Sequence, residues 1–431
     1  VRAADADSEI VYTYDLGDGL TSQTTRGLGA VDLPEVTITW GYDDTGALSA
    51  RTTPAGTVEY DHDRLGRLER LVLPSGGEIV LGYNDQDRLK TVDLPNGVSE
   101  LLDWDTAGNI ERRTASGPGG ATLVSAEYRY DILRRRTSAA LDGITTTFDY
   151  DARGRLTEAT REGMTSLFDY DAGGNRTVAP GQTPTYAQGH RLESDGIHQY
   201  GYDDEGNLIS RRVVATGATT IYAWDAFNRL VSVEHPDGSL TQYRYDAHGR
   251  RIEVDDRGSV ARYVYDGTNV ALVYDGTNDL DASYVTGERP GEAYALTVGG
   301  EEFFHLRDGH GNVVALADGT GMVRERLEYD AWGAPSAAPS IDPIYTYAGL
   351  TYDAGTGWYY ARARWYDPGP TRASGGMADA LASGASEGNL VGVQVPPRPP
   401  RCCRSPRVRE TRTGLTSTGL LPGARARRST A

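Results

Sequence analysis

Polar and apolar positions alternate in short bursts along most of this chain. Thr145-Thr146-Thr147-Phe148-Asp149-Tyr150 and Leu240-Thr241-Gln242-Tyr243-Arg244-Tyr245 set aromatic rings two residues apart. A period of two puts Phe148 with Tyr150, and Tyr243 with Tyr245, on one face of a β-strand. The bursts end in turn chemistry, an aromatic followed by Asp-x-x-Gly: Tyr42-Asp43 with Gly46, Trp104-Asp105 with Gly108, Tyr150-Asp151 with Gly154, Tyr202-Asp203 with Gly206, Tyr245-Asp246 with Gly249. Aspartate accepts hydrogen bonds from the amides that follow it, and glycine takes the positive φ that completes such a turn. A second turn closes many units at the other end, as in Pro95-Asn96-Gly97, Asp142-Gly143 and Pro236-Asp237-Gly238. Each unit therefore predicts a β-hairpin.

The slot before the acid holds Tyr42, His62, Tyr83, Trp104, Tyr130, Tyr150, Tyr170, Tyr202, Trp224, Tyr245 and Tyr265, at intervals of 20, 21, 21, 26, 20, 20, 32, 22, 21 and 20 residues. A period near twenty marks a repeat protein. Exchanges within the series, Trp104 and Trp224 for Tyr, Asn84 for Asp, Asp87 and Arg134 for Gly, mark scaffold positions rather than acids or nucleophiles. The expected packing sets each ring on the neighbouring unit and each Asp on its own turn. A lone hairpin is marginal in water, so the units must stack edge to edge. The predicted fold is all-β: a spiral antiparallel β-sheet of repeated hairpins, forming an open or partial β-shell whose strands cover their inner face with alternate residues.

Charge changes the picture at one end. The chain of 431 residues carries a formal charge of -18. From Thr371 onward ten Arg stand against Asp379, Glu387 and Glu410, a net of +7, which leaves -25 on the body. Such a body repels phosphate backbones, so no nucleic-acid partner is expected. Cys402 and Cys403 sit together in the tail, leaving the repeats without disulfides or thiolate ligands. No apolar run reaches the roughly eighteen residues of a membrane span, and no signal leader opens the chain. Tyr12-Thr13-Tyr14-Asp15 already reads as repeat material, so the chain is expected to start inside a longer array, with any export signal upstream.

Candidate chemistry is sparse. His305 and His310, flanking Asp308-Gly309, are the one close histidine pair, and they read as a strand-turn-strand unit rather than a metal site. The acidic turns Asp43-Asp44 and Asp203-Asp204-Glu205 offer too few oxygen donors at fixed offsets for calcium. No nucleophile elbow, P-loop or dinucleotide fingerprint is present. No catalytic, cofactor-binding or metal-binding residue is assigned, and an enzyme is not expected.

Past Tyr265 the rhythm loosens into His305-Leu306-Arg307-Asp308 with Gly311-Asn312, then Tyr329-Asp330-Ala331-Trp332-Gly333. An aromatic block follows, from Tyr352-Asp353 through Trp358-Tyr359-Tyr360 to Trp365-Tyr366-Asp367-Pro368. Arg362 and Arg364 interleave with it, and planar guanidinium groups stack on rings. The repeats resemble the YD-repeat array of Rhs and teneurin-type proteins, and residues 303–368 resemble the Rhs repeat-associated core. The resemblance implies 1–300 as YD-repeat β-shell, 301–368 as the core that seals it, and 369–431 as a disordered, basic Pro/Arg-rich tail. It further implies a secreted or cell-surface bacterial protein that wraps a C-terminal toxin cargo and is delivered by secretion-apparatus components. After Pro368 the family's continuation, with a second Asp-Pro and its self-cleavage carboxylates, has no matching positions; Gly369-Pro370-Thr371 follows instead. On this reading the toxin is absent and the copy is non-functional. The competing reading is a cell-surface adhesion or carbohydrate-binding array, which calls for solvent-facing aromatics where the shell calls for buried ones.

Overall fold

The computed structural model describes residues 1–341, 344–362 and 364–369; the tail expected to be disordered lies outside the described residues. Sixteen strands, from Arg2–Ala4 to Met164–Leu167, form one antiparallel sheet in strict chain order, and fifteen more, from Thr185–Tyr186 to Val323–Arg326, form a second. Each strand is hairpin-linked to the next, and neither sheet closes into a barrel, so the expected all-β open spiral holds. The expected single ribbon is interrupted on both sides of one short hairpin. Asp169–Tyr170 pairs only with Arg176–Val178, and Pro180 and Pro184 follow. Proline has no N–H to give to a ladder.

Nearly every unit carries the same irregularity; Tyr265 differs, pairing with Val270 five positions on. The aromatic pairs with the residue six positions further on, Tyr42 with Leu48, Tyr83 with Leu89, Tyr150 with Leu156 and Tyr245 with Arg251, and the register shifts there. These bulges raise the local twist of the ribbon. The 32-residue interval hides an additional unit, in which Tyr186 pairs with Leu192 across the same shift. The motif misses it because Ala187 stands where the acid belongs.

The ribbon returns over itself. Tyr12 Oη meets His248 Nε2 at 2.9 Å, Arg51 meets Asp266 at 3.0 Å, Asn96 donates to the Asp318 carbonyl at 2.8 Å, and the Gly309 amide donates to Tyr128 Oη at 2.9 Å. From Tyr12–His248 through Arg51–Asp266 to Tyr128–Gly309 the partners advance together along the chain, so the two passes run in the same direction, as in a spiral. In the first pass burial alternates: Val36, Ile38 and Trp40 are buried while Thr37 and Thr39 are exposed. In the second, Ala293 to Leu296 and Val313 to Asp318 are buried at successive positions. The one-sided alternation expected of every strand fails there, because consecutive burial requires cover on both faces. The first pass supplies one cover, with Val58, Tyr60 and Ile79 clustering with Val285, Phe304 and Leu306. The terminal segment supplies the other, with Trp358, Tyr360 and Trp365 clustering with Tyr222, Tyr243 and Tyr263.

Candidate functional site: the repeat joint and the terminal seal

The recurring phrase builds a joint between consecutive hairpins. Within one turn the Asp accepts from the amides two and four residues on, as Asp63 does from Leu65 and Arg67 and Asp246 from His248 and Arg250, at 2.8–3.0 Å. Its second oxygen grips the side chain four residues on, an Arg at Arg67, Arg135, Arg155, Arg229 and Arg250 or an Asn at Asn109, Asn175, Asn207 and Asn312. The clamped guanidinium then lies over the next unit's ring: Arg67 over Tyr83 at 4.4 Å, Arg155 over Tyr170 at 4.5 Å, Arg250 over Tyr265 at 4.9 Å. That ring's own donor reaches back to the preceding unit, Tyr83 to the Leu68 carbonyl, Trp104 to Leu89, Tyr245 to Leu230 and Tyr265 to Arg251, at 2.7–2.8 Å. Tyr and Trp alternate in this slot because both join an apolar body to one terminal donor. The turn hydrogen bonds hold the carboxylates of Asp63 and Asp171 below the usual range, with the Arg67 and Asn175 side chains the first cause. Burial pushes the Tyr245 and Tyr265 hydroxyls up, keeping them protonated donors.

The last described residues form a seal. Thr351–Asp353, Trp358–Tyr360 and Trp365–Tyr366 make a three-stranded sheet that sits on the second pass through hydroxyls and one ion pair. Tyr345 Oη accepts from the Val270 amide at 2.6 Å and donates to its carbonyl at 3.1 Å, and Tyr359 donates to the Gly333 carbonyl at 2.7 Å. At the centre Arg251 donates to Asp353 at 2.7 Å, both side chains at most 3% exposed. The other carboxylate oxygen accepts from Tyr243 Oη at 2.8 Å and from the Thr356 amide at 3.0 Å. Tyr360 and Trp365 lie against the guanidinium at 4.7 and 5.3 Å. Arg362 and Arg364 were the arginines the sequence offered for stacking on these rings. A cation stacked on them is Arg251, from the repeats. One signal was available: Arg251 stands in a slot that is usually aliphatic.

His305 and His310 are not brought together as ligands. Asp308 spends its carboxylate on the amides of His310 and Asn312 and on Asn312 Nδ2. His305 is buried beside Tyr284, and burial, with Arg307 nearby, pulls its imidazole down to about 3. His310 sets its ring edge against Tyr128 of the first pass, with centroids 5.0 Å apart. Among the described residues no group of three or more His, Cys, Asp or Glu could hold a metal ion, and no helix is long and apolar enough to cross a membrane.

A bulged hairpin ribbon with an Asp-gripped joint and an aromatic terminal seal is a family pattern. The profile of the teneurin YD-shell matches residues 6–138 and 120–372. The chain belongs to the teneurin YD-shell family. The tRNA3(Ser)-specific nuclease WapA of Bacillus spizizenii is 36% identical over 175 residues, covering 39% of this chain and 7% of that protein. The probable deoxyribonuclease RhsA of Dickeya dadantii is 27% identical over 409 residues, covering 84% of this chain and 27% of its own length. Among solved structures, the Tc holotoxin pore of Photorhabdus luminescens superposes with a TM-score of 0.70 at 18% identity, over 86% of this chain and 22% of that one. This YD-shell chain thus spans about a quarter or less of these relatives.

Proposed function

We propose that this chain is the distal wall and seal of a larger YD shell that encloses a C-terminal polypeptide cargo, as part of a bacterial polymorphic toxin. The observation that carries this reading is the seal: the chain's end folds back onto the overlapping passes and is pinned there by the buried Arg251–Asp353 pair. Such an end closes a container, and an adhesive array has no need of one. The rings that an adhesion reading would turn to solvent are buried here, Trp358, Tyr359 and Trp365 among them. The relatives are named for nuclease and toxin activities, and this chain matches only a fraction of each. The wall itself is not an enzyme, and catalysis belongs to the enclosed domain. Secretion or cell-surface display follows from the same reading.

The test is protease protection. The complete gene, sequenced with its flanks and expressed with a reporter domain after the seal, should yield a reporter that resists proteinase K until the wall is denatured. A reporter digested as fast with the wall as without it refutes enclosure.

A further inference from the structure

In three units the slot six residues after the aromatic holds arginine: Arg136, Arg176 and Arg251, opposite Tyr130, Tyr170 and Tyr245. Arg251 receives Asp353. Arg176 is fully buried, and none of its three guanidinium nitrogens has a hydrogen-bond partner. Its head lies between Phe168 and Trp332, 5.6 and 4.6 Å from the ring centroids. Trp332 Nε1 is a second buried donor without an acceptor. Nearby polar groups are engaged: Asp330 Oδ1 accepts from the amides of Trp332 and Ala334, while Tyr170, Tyr186 and Tyr366 donate to backbone carbonyls. Native structures leave few buried donors unpaired. A buried guanidinium over an indole ring, with neither its own N–H groups nor the indole N–H paired, offers the donors a carboxylate would take.

Trp332 also forms a wall of a cavity of about 380 Å³ bounded by Tyr128, Arg136, Phe148, Tyr150 and Tyr347. The strands on its floor, Arg136–Leu141 and Ile144–Tyr150, are only partly covered where most of the first pass is buried on one face. Of the charged groups around it, Arg161 pairs with Glu328 at 3.3 Å, and Asp308 and Asp330 are held by their own turns. Arg136, stacked on Tyr128 and Phe148 at 5.5 and 5.6 Å, and Arg176 behind Trp332 balance those two carboxylates in charge, and Arg176 keeps its hydrogen-bond donors unused. The chain's exit lies alongside: Tyr366 Oη donates to the Trp332 carbonyl at 2.5 Å, and its ring stacks on Tyr347 at 6.4 Å.

We propose that this cavity docks an acidic polypeptide segment, one carboxylate of which pairs with Arg176 and accepts from Trp332 Nε1 once the indole swings aside, as Asp353 pairs with Arg251. Assigning that segment to the enclosed cargo rests on the shell reading above; the receptor does not. The test uses the full chain with hexaglutamate, hexaglutamine and glutarate as probes, read by thermal melting and tryptophan fluorescence. Hexaglutamate should raise the melting temperature and hexaglutamine should not. Arg176→Met should abolish the rise while melting no lower than wild type, since it removes a buried cation that lacks a partner. Trp332→Phe should weaken binding roughly three- to tenfold, the value of one buried hydrogen bond. The proposal is overturned if hexaglutamate leaves wild type unshifted, if Arg176→Met responds equally, or if that variant melts well below wild type, which would make Arg176 structural. A response to glutarate that equals or exceeds the response to hexaglutamate also overturns it, in favour of a small-anion receptor. Reporter protection is read separately, so the shell reading can fail while the docking site stands.

Discussion

Lowering the pH should destabilise the fold through one side chain, His305. Its ring is buried in the strand Glu301–Arg307, and burial, with Arg307 beside it, holds its imidazole near 3 against 6.5 when exposed. The folded state therefore keeps the ring neutral, while the unfolded chain takes up a proton as the pH drops below about 6.5. Nothing is lost above that value. Below it, stability falls by about 1.4 kcal/mol per pH unit, and the loss is complete near the folded value of about 3. Between pH 7.5 and pH 5 the loss from this group is about 2 kcal/mol. The assay is urea unfolding of wild type and His305→Gln at several pH values, with two probes checked for coincident transitions. Carboxylates titrate alike in both proteins, so the difference between them isolates the histidine. That difference should shift by about 2 kcal/mol across the range, in favour of the variant at low pH. A difference flat to within about 0.5 kcal/mol would show that His305 is hydrated or already charged in the fold, and would refute the reasoning.

Other predictions follow from the joint and the seal. Asp353→Ala should cost about 3–5 kcal/mol by leaving Arg251 buried and unpaired, and should open the segment 351–366 to limited proteolysis; Arg251→Leu with Asp353→Leu should recover much of the loss. Gly349→Ala should cost about 2 kcal/mol or more in chemical unfolding, since φ is +67° and the new Cβ would lie 2.7 Å from the Gly291 carbonyl oxygen. Tyr245→Phe removes the bond to the Leu230 carbonyl inside the core and should cost about 1–2 kcal/mol. Tyr42→Phe, 38% exposed with water to replace its partner, should cost visibly less in the same measurement.

The local grammar of the chain is legible without coordinates. Asp-x-x-Gly with an Arg or Asn four residues after the Asp is complete within five residues, so the turn, its cap and its clamp are set by neighbours in sequence. Period-two alternation likewise set Tyr243 and Tyr245 on one face, and both are buried. The aromatic slot was readable as packing, but its reach to the previous unit's carbonyl was not, because that geometry depends on the bulge opposite it. The Tyr186 unit escaped because its acid is Ala187, although its ring keeps both the pairing and the hydrogen bond of the others.

What tertiary structure alone decided is which distant parts meet. The offset between the passes, which sets Arg51 on Asp266 and Tyr128 on Gly309, accumulates from small twists at many bulges, and no residue encodes it by itself. For the same reason Arg251 was not foreseen on the terminal rings, and nothing in the sequence pointed to Arg176 and Trp332 being buried together as donors. Local hydrogen bonds are fixed over a few residues, whereas curvature is summed over the whole ribbon. The chain's sequence therefore determined the hairpin and its repetition, and only the folded spiral decided the seal and the cavity beside it.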